Sequence, residues 1–186
     1  IARKLRDDNA IPVEARDIVV TAGGKQAIYL AMQCLLDPGK GDEVLLVSPA
    51  WVSVPAIVEV CGGVARFVSG TIDSGWKITP EQLDEAITER TKVVVINSPS
   101  NPCGTVYLPD ELKALAEVLI RHPQVTLMSD EIYEKMIYPE LDPAVSHFSL
   151  GSMPELAQRT ITINGLSKAY AMTGWRIGYL ATPSGE

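Results

Sequence analysis

Histidine, cysteine and phenylalanine are scarce in this chain: two, three and two residues among 186. His122 and His147 fall in no metal-ligand spacing and in no Ser-His-Asp or Cys-His arrangement, so both read as surface or packing residues. Cys34, Cys61 and Cys103 are odd in number and widely spaced. They suggest neither a disulfide framework nor a metal cluster, and the simplest setting for them is a reducing cytoplasm. No apolar run approaches the ~20 residues of a membrane span, and no stretch reads as a signal peptide, so no membrane partner is expected. Basic residues are outnumbered, 16 against 23 acidic, for a net charge of -7. That balance argues against nucleic acid, which needs a basic face. It leaves room for a local cationic pocket for a small molecule.

What is present is a well-mixed globular composition, 46% hydrophobic and 21% charged. The length suits a single domain with a substantial core. The chain begins at Ile1 in a charged stretch and ends at ATPSGE after an apolar run. Both ends read as cut, as in an internal segment of a longer protein; a processed or complete small domain is the alternative.

Short apolar runs alternate with amphipathic ones. The patterning predicts strands at Asp17–Thr21, Glu43–Ser48, Val64–Ser69, Lys92–Asn97, Val125–Ser129, Thr160–Asn164 and Ile177–Ala181. It predicts helices at Lys25–Leu36, Val52–Val60, Pro80–Thr88 and Asp110–Arg121, the third with Thr79 as N-cap and Pro80 at the first helical position. Such alternation implies an α/β fold, three layers with a mostly parallel sheet. Ligands of such sheets sit at the carboxyl ends of the strands. Gly23–Gly24, Ala50–Trp51, Asn97–Gly104, Asp130–Tyr133 and Gly165–Arg176 each follow a predicted strand and would meet at that edge.

Each of these segments has a plain structural reading beside a chemical one. Ala22–Ala27 joins strand to helix, where free amides and the positive dipole end suit a phosphate; alone, it reads first as an ordinary glycine turn. Asn101, extended before Pro102, could present its amide to a ligand or serve a simple turn. Asp130 at a strand end suits a site carboxylate or a helix cap, with Tyr133 one turn on if a helix starts there. Trp51 offers a flat face for stacking or for packing. Lys168 lies in a small-residue loop without an acidic neighbour in sequence. Kept dry, such a lysine is a nucleophile toward aldehydes; solvated, it is a surface cation. Arg176 carries a fork suited to phosphate or carboxylate.

The order of the segments is more specific than any one of them. GGKQA, PAW, NSPSNPCG, SDEIY and NGLSKAYAMTGWRIGY resemble the signature series of class I/II aminotransferases, fold-type I pyridoxal-phosphate enzymes. The resemblance runs from about Ile18 to the end of the chain. It implies the large domain of such enzymes over 17–186, incomplete, with 1–16 a helical remnant and the flanking N-terminal segment and C-terminal small domain absent. It makes Lys168 the Schiff-base and catalytic lysine, and Asp130 the partner of the pyridine nitrogen of pyridoxal 5'-phosphate. Tyr133 and Asn101 match the donors to the ring's 3-oxygen, and Trp51 the stacking residue. Gly24 and Lys25 match the amides at the phosphate, and Arg176 the phosphate arginine. The implied reaction is a ping-pong exchange between amino acids and 2-oxo acids, in a protein dimeric when intact.

Two positions depart from the common pattern. Gly165 stands where many relatives place a serine against the phosphate, and Cys103 where many have threonine. The Gly-Gly-Lys-Gln form of the first motif resembles the bacterial aspartate/prephenate branch, in which the position of Lys25 is implicated in holding a distal carboxylate. An aromatic or broad-range aminotransferase, a lyase on the same site, a non-catalytic pyridoxal-phosphate-binding regulator and an inert fragment are the other readings. The isolated segment is expected to turn over little or not at all.

Overall fold

Val93–Ile96 is an unbroken buried apolar run, the pattern of a strand covered on both faces. In the computed structural model, which describes residues 1–138 and 140–183, that run lies in the middle of a seven-stranded sheet. The strands are β1 (Ile18–Thr21), β2 (Glu43–Ser48), β3 (Val64–Ser69), β4 (Thr91–Asn97), β5 (Thr126–Asp130), β6 (Thr160–Gly165) and β7 (Gly178–Ala181), in the order β1-β7-β6-β5-β4-β2-β3. The pairs joining β3, β2, β4, β5 and β6 are parallel, whereas β7 is antiparallel to both β6 and β1. β1 therefore runs with the parallel set, and six strands end at one edge.

Helices cover both faces, giving three α/β/α layers. α2 (Gly24–Leu35) and α3 (Ser53–Val60) pack Ile28, Met32 and Val58 against Val44, Leu46, Val95 and Met128. α4 (Pro80–Ala86), α5 (Pro109–Arg121) and α6 (Pro154–Ala157) bring Leu83, Leu115, Leu119 and Leu156 against Leu45, Val94, Ile96 and Leu127 on the other face. The assignment follows strand alternation, neighbouring residues of β2, β4 and β5 serving opposite layers. α1 (Ala2–Asn9) precedes a stretch whose Ile11 and Val13 join Leu5 in a small cluster on Tyr179 and Ala181 of β7. No helix among the described residues is long and apolar enough to cross a membrane.

Every sequence-predicted strand and helix is present, its ends displaced by at most two residues. Thr79 accepts from the amide of Gln82 while the Gln82 side chain returns a bond to the Thr79 amide, so α4 starts where its capping pattern indicates. No helix begins at Asp130: residues 132–135 form a turn closed by Glu134 N–H to Glu131 O at 3.0 Å. α1 lies within the stretch expected as a helical remnant, whereas α6, four residues long, is too short to show a periodic face in sequence. The C-terminal end of the expected 17–186 unit, residues 184–186, lies outside the described residues.

Candidate active site

At the carboxyl edge of the sheet a cavity of about 280 Å³ opens between the loops. Gly24, Lys25, Trp51, Asn101, Asp130, Tyr133, Lys168 and Arg176 all line it, so the structure brings together every residue singled out from the sequence. They come from five separate chain segments, and the common strand direction is what gathers them.

One end of the cavity is built for an anion. α2 starts at Gly24, and the first amides of a helix have no acceptor within it. The Gln26 and Ala27 amides turn back to Gly23 O, whereas those of Gly24 and Lys25 meet no protein acceptor among the described residues. Arg176 closes this end, its guanidinium donating to Thr173 O at 3.0 Å and Ala22 O at 3.1 Å. Gly23 fits this corner for two reasons, the first conformational and the second a contact that would displace the Arg176 guanidinium. Its φ of +89° is unfavourable for other residues, and a Cβ there would lie 2.2 Å from Nη2 of Arg176. Behind it, a Cβ on Gly178 would lie 2.4 Å from both Gly23 C and Gly24 N, backbone against backbone. Gly178→Ala is therefore expected to push β7 away from the start of α2, costing about 1–3 kcal/mol. Denaturant melts of the two proteins check this; an unchanged midpoint would contradict it.

The floor is polar and strained electrostatically. Asp130 ends β5 in register with Asn97 of β4. It is 7% exposed, and the one hydrogen bond of its carboxylate among the described residues is from the Ile132 amide at 3.3 Å. Burial pushes its carboxyl up to about 7, against the Ile132 bond and with the charge of Glu131 assisting. A cation placed against it would recover the cost of burying that charge. Beside it, Asn101 donates from Nδ2 to the Tyr133 hydroxyl at 3.3 Å. Burial and the Asp130 charge raise the Tyr133 phenol above its ordinary value, while the Asn101 bond lowers it. The phenol thus keeps its proton for donation into the cavity.

Asn97 is a site residue that the sequence reading did not single out. Its Oδ1 accepts from the Asn101 amide at 2.8 Å and its Nδ2 donates to Asp130 O at 3.0 Å, tying floor to loop. A polar residue ending the run KVVVIN was the available signal. Ser167 and Thr173 also line the cavity.

Lys168 is half-buried on the cavity wall and has no ion-pair partner among the described residues. Trp51 lines the same cavity, with the Lys25 ammonium 5.0 Å from the indole centroid. Gly165 has a steric reason. A Cβ there would lie 2.8 Å from Ile177 O and 3.0 Å from Gly178 Cα, so this closure of β6 on β7 has no room for serine.

The family model described as "Aminotransferase class I and II" matches residues 1–185. The chain belongs to this family. It is 48% identical over 184 residues to the aspartate aminotransferase of Geobacillus stearothermophilus, covering 98% of this chain and 45% of that protein. It is 47% identical to the aspartate/prephenate aminotransferase of Cereibacter sphaeroides, covering 98% and 44%. Among solved aminotransferases, that of Thermus thermophilus with maleate superposes with a TM-score of 0.90 at 45% identity, over 98% of this chain and 45% of the other. The chain thus spans somewhat under half the length of the relatives it matches. The three-layer fold and the order of the motifs are those of the aminotransferase family.

Proposed function

We propose that this chain forms the pyridoxal-phosphate site of an aminotransferase that moves an amino group between an amino acid and a 2-oxo acid, with aspartate, glutamate or a related dicarboxylate preferred. The observation that carries the reading is the convergence of Lys168, Asp130 and the amides at the start of α2 on one cavity. That donor set fits the cofactor: amides and a guanidinium for a phosphate, a buried carboxylate for a ring nitrogen, a flat indole, and an unpaired amine for an aldehyde. When bound, pyridoxal phosphate supplies an electron sink for the bond broken at the substrate's α-carbon.

The chain's own residues do the rest. Lys168 would hold the cofactor through Nζ and, once displaced by the amino acid, would take the α-proton and return it to the carbon that had carried the aldehyde. Asp130 pairs its charge with a protonated ring nitrogen. Tyr133 and Asn101 donate to the 3-oxygen, Trp51 stacks on the ring, and the amides of Gly24 and Lys25 hold the phosphate together with Arg176. The resemblance further implies a cytoplasmic protein, and a homodimer when whole. In the whole protein, adding L-aspartate to the loaded enzyme is expected to change its absorbance to that of the amine form and release oxaloacetate. Cofactor uptake without this half-reaction would favour the regulator reading.

Two things support the dicarboxylate preference. The relatives are named for aspartate and prephenate, and the Thermus thermophilus structure carries maleate. Lys25 is exposed at the cavity rim, where its ammonium can meet a distal carboxylate. Lys25→Ala in the whole protein is expected to raise KM for aspartate about tenfold or more, the scale of one charge-assisted hydrogen bond. KM for phenylalanine should change much less. An equal rise for both would remove Lys25 from substrate choice.

A further inference from the structure

Along β5, Met128 and Asp130 face the α2 side and Ser129 the opposite side, so the next residue, Glu131, turns away from the cavity. Behind the sheet it joins Glu134, Asn9, His147 and Ser149 in a polar cluster. Glu131 and Glu134 are 2% and 7% exposed, and between them sits the turn that carries Tyr133. Two buried carboxylates this close repel unless donors face them, and here several do. Asn9 Nδ2 donates to Glu134 Oε2 at 2.8 Å and to Ser149 Oγ at 2.8 Å, with Glu131 Oε2 a longer third acceptor at 3.4 Å. Ser149 Oγ then donates its own hydrogen bond to Glu131 Oε2 at 2.6 Å. His147 Nε2 reaches the same oxygen at 3.0 Å, and Ser129 Oγ donates to Glu131 Oε1 at 2.9 Å. Lys4 completes Glu134 through an ion pair. Burial raises the Glu134 carboxyl, but the Asn9 amide and the Lys4 ammonium outweigh it and hold the group below its ordinary value.

The three groups Glu131, Glu134 and His147 also have the proximity of a metal-ligand set. Their inward oxygens are already satisfied by protein donors, so the cluster works as a closed hydrogen-bonded lock. We infer that Asn9 of α1 is a positioning residue for the cofactor site: through Glu131, Glu134 and Ser149 it pins both ends of the 131–134 turn and so fixes where Tyr133 and Asp130 stand in the cavity. The consequence is that α1 is coupled to the cavity on the opposite face of the sheet without touching it. This extends the reading of the cavity as a pyridoxal-phosphate site, and its test has one arm that needs no cofactor.

That arm is hydrogen exchange on the 186-residue chain and on Asn9→Ala, with Ser149→Ala as the milder variant should Asn9→Ala fold poorly. The amides of Glu134 and Met136, which close the turn on Glu131 O and Tyr133 O, are expected to exchange about tenfold faster or more, the size of one hydrogen bond to a charged group. Amides of β4, β5 and β6 should keep their protection. The second arm titrates pyridoxal phosphate: the variant's affinity should fall about tenfold by the same reckoning, and the pH midpoint of the bound cofactor's absorbance should move, since Tyr133 acts on the ring oxygen. Exchange that is unchanged, or that rises equally through the sheet, overturns the positioning role. So does a loosened turn with unaltered affinity and absorbance. If the whole protein takes up no cofactor at Lys168, the pyridoxal-phosphate reading fails by itself, and the exchange arm still decides whether Asn9 pins the turn.

Discussion

Replacing Lys168 with alanine is expected to abolish covalent retention of pyridoxal phosphate and to lower transaminase turnover of the whole protein by about 10⁴-fold or more. The loss of a positioned general base alone accounts for about 10²–10⁴, and the same amine is also the nucleophile that attaches the cofactor. No neighbour can replace it. Lys25 sits at the rim over Trp51, and the other polar residues lining the cavity offer amide, hydroxyl, carboxyl or guanidinium groups. The phosphate contacts are untouched, so the variant should still bind the cofactor reversibly, and gel filtration should strip it. Retention of a stable, borohydride-reducible adduct by Lys168→Ala would assign the chemistry to another amine.

Asp130→Asn should separate stability from function in opposite directions. The carboxyl titrates near 7 in the fold and near 3.9 in an unfolded chain. Between those values the folded chain keeps a proton that the unfolded chain releases. This group's contribution therefore favours the fold fully below about pH 4 and is lost as pH rises through about 7, an effect of order 4 kcal/mol. Asparagine cannot ionise. Without added cofactor, Asp130→Asn is expected to gain stability relative to the parent as pH is raised from 4 to 8, measured as the difference in denaturant midpoints. Contributions from groups such as Glu134 are common to both proteins and cancel in that difference. With cofactor the order reverses. The charge that burial disfavours is the charge that holds a protonated ring nitrogen, and leaving one buried ion without its partner costs about 3–5 kcal/mol. Affinity should fall about a hundredfold or more, and turnover with it. A stability difference independent of pH would mean that Asp130 is ionised throughout, and unchanged affinity would remove it from the cofactor's contacts.

How much of this was legible in the sequence depended on the range of the interactions. Strands such as KVVVIN and helices with a clean apolar stripe such as 109–121 follow from local pattern, and the structure places them within two residues of the expected ends. That the eight candidate residues would meet in one cavity was also readable, because a common strand direction turns loops that follow strands into neighbours. Long-range contacts were not. Nothing near Gly165 in sequence reveals that Ile177 O occupies the place of its side chain. His147 gives no local sign that it reaches the carboxylate of Glu131. Asn9 lies in a charged helix where a buried amide is unexpected, and the acceptors of its Nδ2 are more than a hundred residues away. Whether a helix started at Asp130 was open in the sequence; Tyr133 sits on a turn, where the chain after β5 bends and buries Glu131 and Glu134 behind the sheet.

The central claim is that this chain builds a pyridoxal-phosphate site around one lysine. Its most direct test is to incubate the 186-residue chain with pyridoxal phosphate, reduce with borohydride and map the modified peptides. The account expects a single pyridoxyl group on Lys168, formed at stoichiometric cofactor and lost in Lys168→Ala. Modification spread over surface lysines in proportion to their exposure, with Lys168 no more reactive than the rest in the whole protein as well, would contradict it.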